Sequence, residues 1–297
     1  MFNHHRPVKY LLMAMAVMAS GCGSPPAKIS PMLENAVGYN LQGKQFSQSK
    51  DYRNALISYN KALQVDRSIE NADGIALNLL NLAQIYLALN QVDAAQASLD
   101  EVFNNATGIF QASQQIQAAM QKALIFNSLS QHKLAGEWIS RANVLCGASC
   151  AQRGLILNVQ ARFALDEQQP DIAIDLANRA LSVHQKEMLS HEIANSLRLI
   201  GEAHLDKQLS DKAIPFLQEA LQLDKNQGLP AKISLDLLLL GMAHKNISDQ
   251  AVVFFRRSLA VSQAAGDLVG EQRAILALDS VTSARKCQPN ELTRQCN

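Results

Sequence analysis

Aromatic side chains are scarce in this 297-residue chain, at 5%, with a single Trp. Yet 48% of residues are apolar, which fits many small packed helices better than a sheet core. Charge is thin as well: 18% of residues are charged, below the usual quarter, and Gln and Asn fill much of the polar surface instead. The formal net charge is only +1 and no basic block occurs. That argues against a nucleic-acid footprint, so no nucleic-acid partner is expected. The apolar stretch Tyr10–Ala19 is too short to span a bilayer. Catalytic motifs are missing too. His191-Glu192 begins a zinc-protease-like word, but Asn195 stands where the second His ligand belongs. Gly266-x3-Gly270 lacks the Lys-Ser/Thr of a phosphate loop, and no Gly-x-Ser-x-Gly elbow occurs. The chain is therefore expected to be no enzyme and to hold no metal or cofactor.

What is present is periodicity. Leu79, Leu82, Ala83, Tyr86 and Leu89 form one face of a 3.6-residue helix. Asn90-Gln91 breaks the run, and Val92, Ala95, Leu99 and Val102 begin a second face. A small residue three places before the aromatic position recurs at Gly43, Ala83, Ala123, Ala161, Gly201 and Gly241. The alanine that opens the second helix recurs in step at Ala55, Ala95, Ala135, Ala173, Ala213 and Ala251. Two markers keeping one period over six units imply a repeat array, with nearest-neighbour packing in a solenoid. The small residues let the two helices of each unit approach. His204 and His244, one period apart, take the place where Tyr86 packs and read as packing residues. Trp138 reads as layer packing, and Pro215 should bend the helix that holds it.

The Leu-x2-Leu-Ala-x2-Tyr helix followed by Ala-x3-Leu-x2-Val resembles a tetratricopeptide repeat. At about 40 residues the unit looks like the longer variant found in kinesin light chain. The resemblance covers about residues 34–265. It implies an all-α, right-handed superhelix of six helix pairs in residues 31–265, whose first helices line the concave side. Residues 266–297 would form a capping helix, wet on one side through Gln272, Arg273, Ser280 and Ser283, with Ala274, Ile275, Leu278 and Val281 turned inward. A cysteine-closed tail would follow. Number each repeat so that the small marker is position 8. Positions 5 and 9 then fall on the concave side. They are polar in repeats 1, 4 and 5 and mostly apolar in repeats 2, 3 and 6. Asn81, Gln84, Asn158, Arg162, Arg198 and Glu202 are the candidate protein-binding residues. Arg162 and Arg198 are expected to be replaceable by Glu without unfolding. Of the Asn residues that grip ligand backbone one place after position 5 in such arrays, Asn81 is present and Gln121 stands in for another.

Residues 1–21 read as a signal peptide, with a positive start at His4, His5, Arg6 and Lys9. Ala19-Ser20-Gly21-Cys22 resembles a bacterial lipobox. That resemblance implies acyl chains on Cys22, a tether over residues 22–30, and attachment to the periplasmic face of the outer membrane. Cys146, Cys150, Cys287 and Cys296 are disulfide candidates with three possible connectivities. Nearest-neighbour pairing is the simplest, and Gly147 can break the helix so that Cys146 and Cys150 meet. The function expected is a lipid-anchored adaptor that holds a protein or peptide in its groove and serves envelope assembly, secretion, pili or proteases. The alternatives are a non-catalytic regulatory subunit of a cell-wall or envelope hydrolase, and a small-molecule or glycan binder.

Overall fold

The computed structural model describes residues 30–286, apart from residue 149 and residues 246–247. The expected signal peptide, Cys22, Cys287 and Cys296 lie outside the described residues. Six antiparallel helix pairs follow one another: α1 (Pro31–Gln48) with α2 (Tyr52–Ser68), α3 (Ala72–Ala88) with α4 (Val92–Asn104), and α5 (Ala112–Ser128) with α6 (His132–Cys146). Then come α7 (Arg153–Asp166) with α8 (Pro170–Lys186), α9 (Ser190–Asp206) with α10 (Ser210–Asn226), and α11 (Pro230–Ala243) with α12 (Ser248–Ala264). A last helix, α13 (Leu268–Lys286), has no second helix of its own among the described residues. No strand occurs among them.

Local chemistry sets the ends of these helices. Ser30 accepts a hydrogen bond from the Leu33 N–H at 3.2 Å, with Pro31 at the first helical position, where its missing N–H costs nothing. Pro170 and Pro230 open α8 and α11 in the same way. Each turn inside repeats 1 to 5 passes through one left-handed residue: Lys50, Asn90, Ser130, Gln168 and Gln208. The next N–H then reaches back five residues, as from Gln91 to the Tyr86 carbonyl at 2.7 Å and from Gln169 to the Ala164 carbonyl at 2.7 Å. This closes the helix by satisfying a carbonyl it would otherwise leave bare.

Helix packing runs between neighbours among the described residues. Each helix contacts the next along the chain, and each first helix contacts the first helix of the following repeat; no second helix touches another. First helices therefore share one side of the array. Within repeats the marker positions bring two backbones together. A Cβ on Gly43 would stand 2.8 Å from the Tyr59 ring, and one on Gly201 2.5 Å from a Leu217 methyl. A Cβ on Gly241 would collide with the Phe255 ring. Ala83, Ala123 and Ala161 are fully buried at the same position.

Trp138 packs edge-on against Phe103 at 4.7 Å, with the Lys122 and Arg141 cations over its ring. His204 and His244 stack on Phe216 and Phe254. α10 runs unbroken through Pro215. Cys146 and Cys150 form a disulfide, their Cα atoms 5.2 Å apart, and Gly147 ends α6 with φ +59°.

The outer side of α13 departs from expectation. Ala274 and Val281 are turned inward, but Ile275, assigned to the buried side, is exposed together with Leu268, Val269 and Leu276. The exposed side thus carries Gln272, Arg273 and Ser280 as expected, but apolar residues stand among them, because no second helix packs on it among the described residues.

Candidate functional site

On the first-helix side, α3, α5, α7, α9 and α11 enclose an open groove of about 660 Å³. Its apolar lining is Met120, Leu124, Leu155, Val159, Leu199 and Leu235. Amide side chains stand among them: Gln84, Gln117, Gln121, Asn158 and Asn195. Two of these end in buried atoms with no hydrogen-bond partner, the Gln121 Oε1 acceptor and the Asn158 Nδ2 donor. A buried polar atom without a partner is costly, and both residues border the groove.

The six residues expected in the groove separate into four kinds. Gln84 is exposed at the rim, as read. Asn81 is half-buried and does not line the cavity, although Gln84, one turn on along α3, does. Arg162 lines the groove but is already engaged: its two terminal nitrogens meet both Glu202 oxygens at 2.5 and 2.8 Å. This bidentate bond joins position 9 of repeat 4 to position 9 of repeat 5. Glu202 is thus a partner of Arg162 and does not line the cavity.

Asn158 and Arg198 line the groove as well, but little of either side chain is open to it. Both sit at position 5, and both are buried, at 8% and 3% exposure. Arg198 donates from Nε to Asp236 at 2.6 Å, from Nη1 to Asn195 at 2.9 Å, and from Nη2 to Asp224. Replacing Arg198 with Glu would place three carboxylates together in the interior, so it cannot serve as a surface probe. Position 5 borders both the groove and the next repeat, while position 9 is the more exposed of the two.

The polar residues at position 5 belong to a recurring triad that seals three of the repeat junctions. At the first, Asn40 donates to Asn78 and Asn78 to Asp66, each at 2.7 Å. At the fourth, the Ser196 hydroxyl lies 3.0 Å from Asn158 Oδ1 and 3.1 Å from His184 Nδ1. At the fifth, Arg198 binds Asp224 and Asp236. The members are 26 and then 12 residues apart in all three cases. Where position 5 is apolar, apolar residues take the place of the triad: Leu80 clusters with Ala118, and Met120 with Cys146 and Ile156. The alternation of polar and apolar repeats along the supposed groove stripe is therefore a property of the seams.

Burial shifts the groups in these seams. It pushes Asp236 up to about 7, with Arg198 opposing and Asp224 reinforcing. It raises Asp66 against the hydrogen bonds from Asn71 and Asn78, and lowers His184 against Glu192 and Glu187. Sequence reading missed Asp66, Asn78, His184, Ser196, Asp224 and Asp236. The signal that finds them is the shared 26-and-12 spacing of polar residues, each at a buried register. It also missed Lys232, a groove-lining cation lowered by burial and by the nearby Arg198. Lys232 has no carboxylate within ion-pair distance among the described residues. No group of three or more His, Cys, Asp or Glu suited to a metal occurs among the described residues.

These features define an α-solenoid of the tetratricopeptide type. A tetratricopeptide-repeat family model matches residues 77–105 and 194–227. A solved Rap protein complexed with competence and sporulation factor superposes with a TM-score of 0.62 at 13% identity, over 86% of this chain and 72% of that one. Aspartyl phosphate phosphatase F from Bacillus subtilis gives 0.58 at 14% identity, over 89% and 83%. A signal-transduction ATPase with a tetratricopeptide sensor from Pyrococcus horikoshii gives 0.62 at 14%, over 86% and 38%. No curated protein sequence matches the chain. The fold is shared with these proteins.

Proposed function

We propose that this chain is a non-enzymatic adaptor that holds a protein partner, through an extended segment, in the groove between α3 and α11. One observation carries the reading: amide side chains, Gln84, Gln117, Gln121, Asn158 and Asn195, line an open groove of about 660 Å³ among apolar ones. An extended backbone presents N–H and C=O groups that pair with such amides, while its side chains enter the apolar lining. The Rap structure, which contains a second molecule, is a precedent on the same fold. The lipobox-like Ala19-Ser20-Gly21-Cys22 supports a lipid anchor at the outer membrane, where the array would serve envelope assembly, secretion or protease machinery.

The test is site-specific photo-crosslinking in cells. A crosslinker replacing Leu124, which lines the groove and is exposed, should trap a partner. One replacing Ile172, exposed on the second helix α8, should not. Adducts from Ile172 alone would reject the groove. For the anchor, Cys22→Ser should release the chain from membranes in plain buffer; a wild-type chain that already washes off would reject the address.

A further inference from the structure

Asp66, His184, Asp224 and Ser262 share one register, eleven places after the alanine that opens each second helix. The carbonyl of each accepts from the N–H five places on: Asn71 at 2.9 Å, Leu189 at 3.0 Å, Leu229 at 3.1 Å and Asp267 at 2.8 Å. These bonds close the three-residue turns after α2, α8, α10 and α12. The longer connection after α4 is closed by a side chain instead. Asn105 exchanges two hydrogen bonds with the Phe110 backbone, each at 2.9 Å.

Between repeats 3 and 4 the register residue is Cys146. Its connection, residues 147–152, is closed by the disulfide to Cys150, with neither of the other devices among the described residues. α6 also packs on α7 more thinly than any other described helix packs on its successor. Two further ties remain. Arg153 of α7 donates to Asn143 Oδ1 at 3.1 Å and to the Gly147 carbonyl. Met120, Cys146, Ile156 and Phe163 share an apolar cluster. Apolar burial is non-directional, so the cluster holds the two halves together without fixing the angle between them. The groove crosses this junction, with Met120 and Leu124 contributed by α5 and Leu155 and Val159 by α7.

We propose that the Cys146–Cys150 disulfide is a redox-operated hinge lock. Intact, it fixes repeats 1–3 against repeats 4–6 and so sets the shape of the groove; reduced by a dithiol, it lets the two halves turn. The dithiol's thiolate attacks the Cys150 sulfur, since Cys150 is half-buried while Cys146 is buried. The S–S bond breaks, Cys146 leaves as a thiolate and takes up a proton, and a mixed disulfide forms at Cys150. The second thiol of the reductant then displaces Cys150, which takes up the second proton, and the reductant departs as its own disulfide. Two electrons and two protons thus pass to the protein. Neither Arg153 bond uses a sulfur, so the halves stay joined and the helices stay formed.

The experiment is pulsed electron resonance on the full chain carrying Cys287→Ser and Cys296→Ser, so that one disulfide responds. Spin labels on bioorthogonal residues replace Asn60 in α2 and Gln218 in α10, both exposed. A control pair, at Asn178 and Gln218, lies within repeats 4–6. With excess dithiol the Asn60–Gln218 distance distribution should shift and broaden while the control pair stays fixed, and reoxidation should reverse the change. Cys150→Ser, which leaves Cys146 in its cluster, should give the reduced distribution without dithiol. Circular dichroism should show the same helix content in every state. Coincident distributions once both thiols are free overturn the proposal, as does a Cys150→Ser chain that keeps the oxidised distribution. A disulfide that yields only when the chain unfolds, or a loss of helix on reduction, makes the bond a folding staple and overturns it equally. The distances need no partner, so this lock and the adaptor reading fail separately.

Discussion

Replacing Arg198 with Ala strands two carboxylates, Asp224 and Asp236, in a junction from which water is excluded. Breaking a buried ion cluster by removing one partner costs about 3–5 kcal/mol. Arg162→Ala breaks a half-exposed pair with Glu202 and should cost only about 0–1 kcal/mol. Urea denaturation of the two variants reads the difference directly; equal losses would mean that Arg198 is not buried as described. His184 makes a second case, through pH. Its Nδ1 is paired with Ser196, while Nε2 has no partner and abuts Gly154, so a second ring proton would have no acceptor. Burial lowers its pKa below the ordinary 6.5. As pH falls through 6.5 the unfolded chain binds a proton that the folded chain refuses, and stability drops. Asp236, raised from 3.8 to about 7, acts in the opposite sense: the folded chain holds the extra proton, and stability drops as pH rises through that window. The difference between wild type and His184→Gln isolates the imidazole. That difference should shrink steadily from pH 7 to pH 5, and a pH-independent difference would refute the account.

At the scale of helices, the glycines test how closely two elements must approach. Gly241 lies against the Phe255 ring and Gly201 against Leu217, so Ala at either overpacks the pair by about 1–3 kcal/mol. Gly136 is in the interior of α6 with open space around it, so Gly136→Ala should instead add up to about 1 kcal/mol through helix propensity. Opposite shifts in melting temperature are expected, and shifts of one sign would undo the packing argument. This layer of the structure was readable in the sequence, because the marker residues are small for a reason that acts within one repeat. The polar stripe at positions 5 and 9 was readable only as a pattern. Its meaning depends on which side of a first helix the next repeat covers, and that is fixed by the angle between repeats. Asn158 and Arg198 therefore read as groove residues alone, although they also close seams. Ile275 was assigned inward for a related reason: periodicity gives the apolar stripe of α13 but not whether a second helix comes to cover it.

At the scale of the whole array, the described helices curve until the first turn touches the turn before α13. Lys50, in the first turn, donates to the Gly266 carbonyl at 2.7 Å and lies 3.2 Å from the Asp267 carboxylate, more than 200 residues away in sequence. No repeat marker foretells this contact, because it sums the small rotations of every junction between. It is also weak, since an exposed ion pair contributes about 0–1 kcal/mol. The stacked seams set the curvature, and Lys50 only biases the closed end of a range of shapes. Lys50→Ala should thus leave the melting curve within about 1 kcal/mol of wild type while widening the separation of the ends. Spin labels at Ser49 and Ala265, both exposed, report that separation by pulsed electron resonance. A longer and broader distance distribution is expected in the variant, and also in wild type at molar salt, where the pair is screened. If the distribution is unmoved by both, the seams alone fix the shape and the latch is incidental. If it widens, a partner seated in the groove, which bridges α3 to α11, should narrow it again, because holding successive first helices at one spacing favours the closed form.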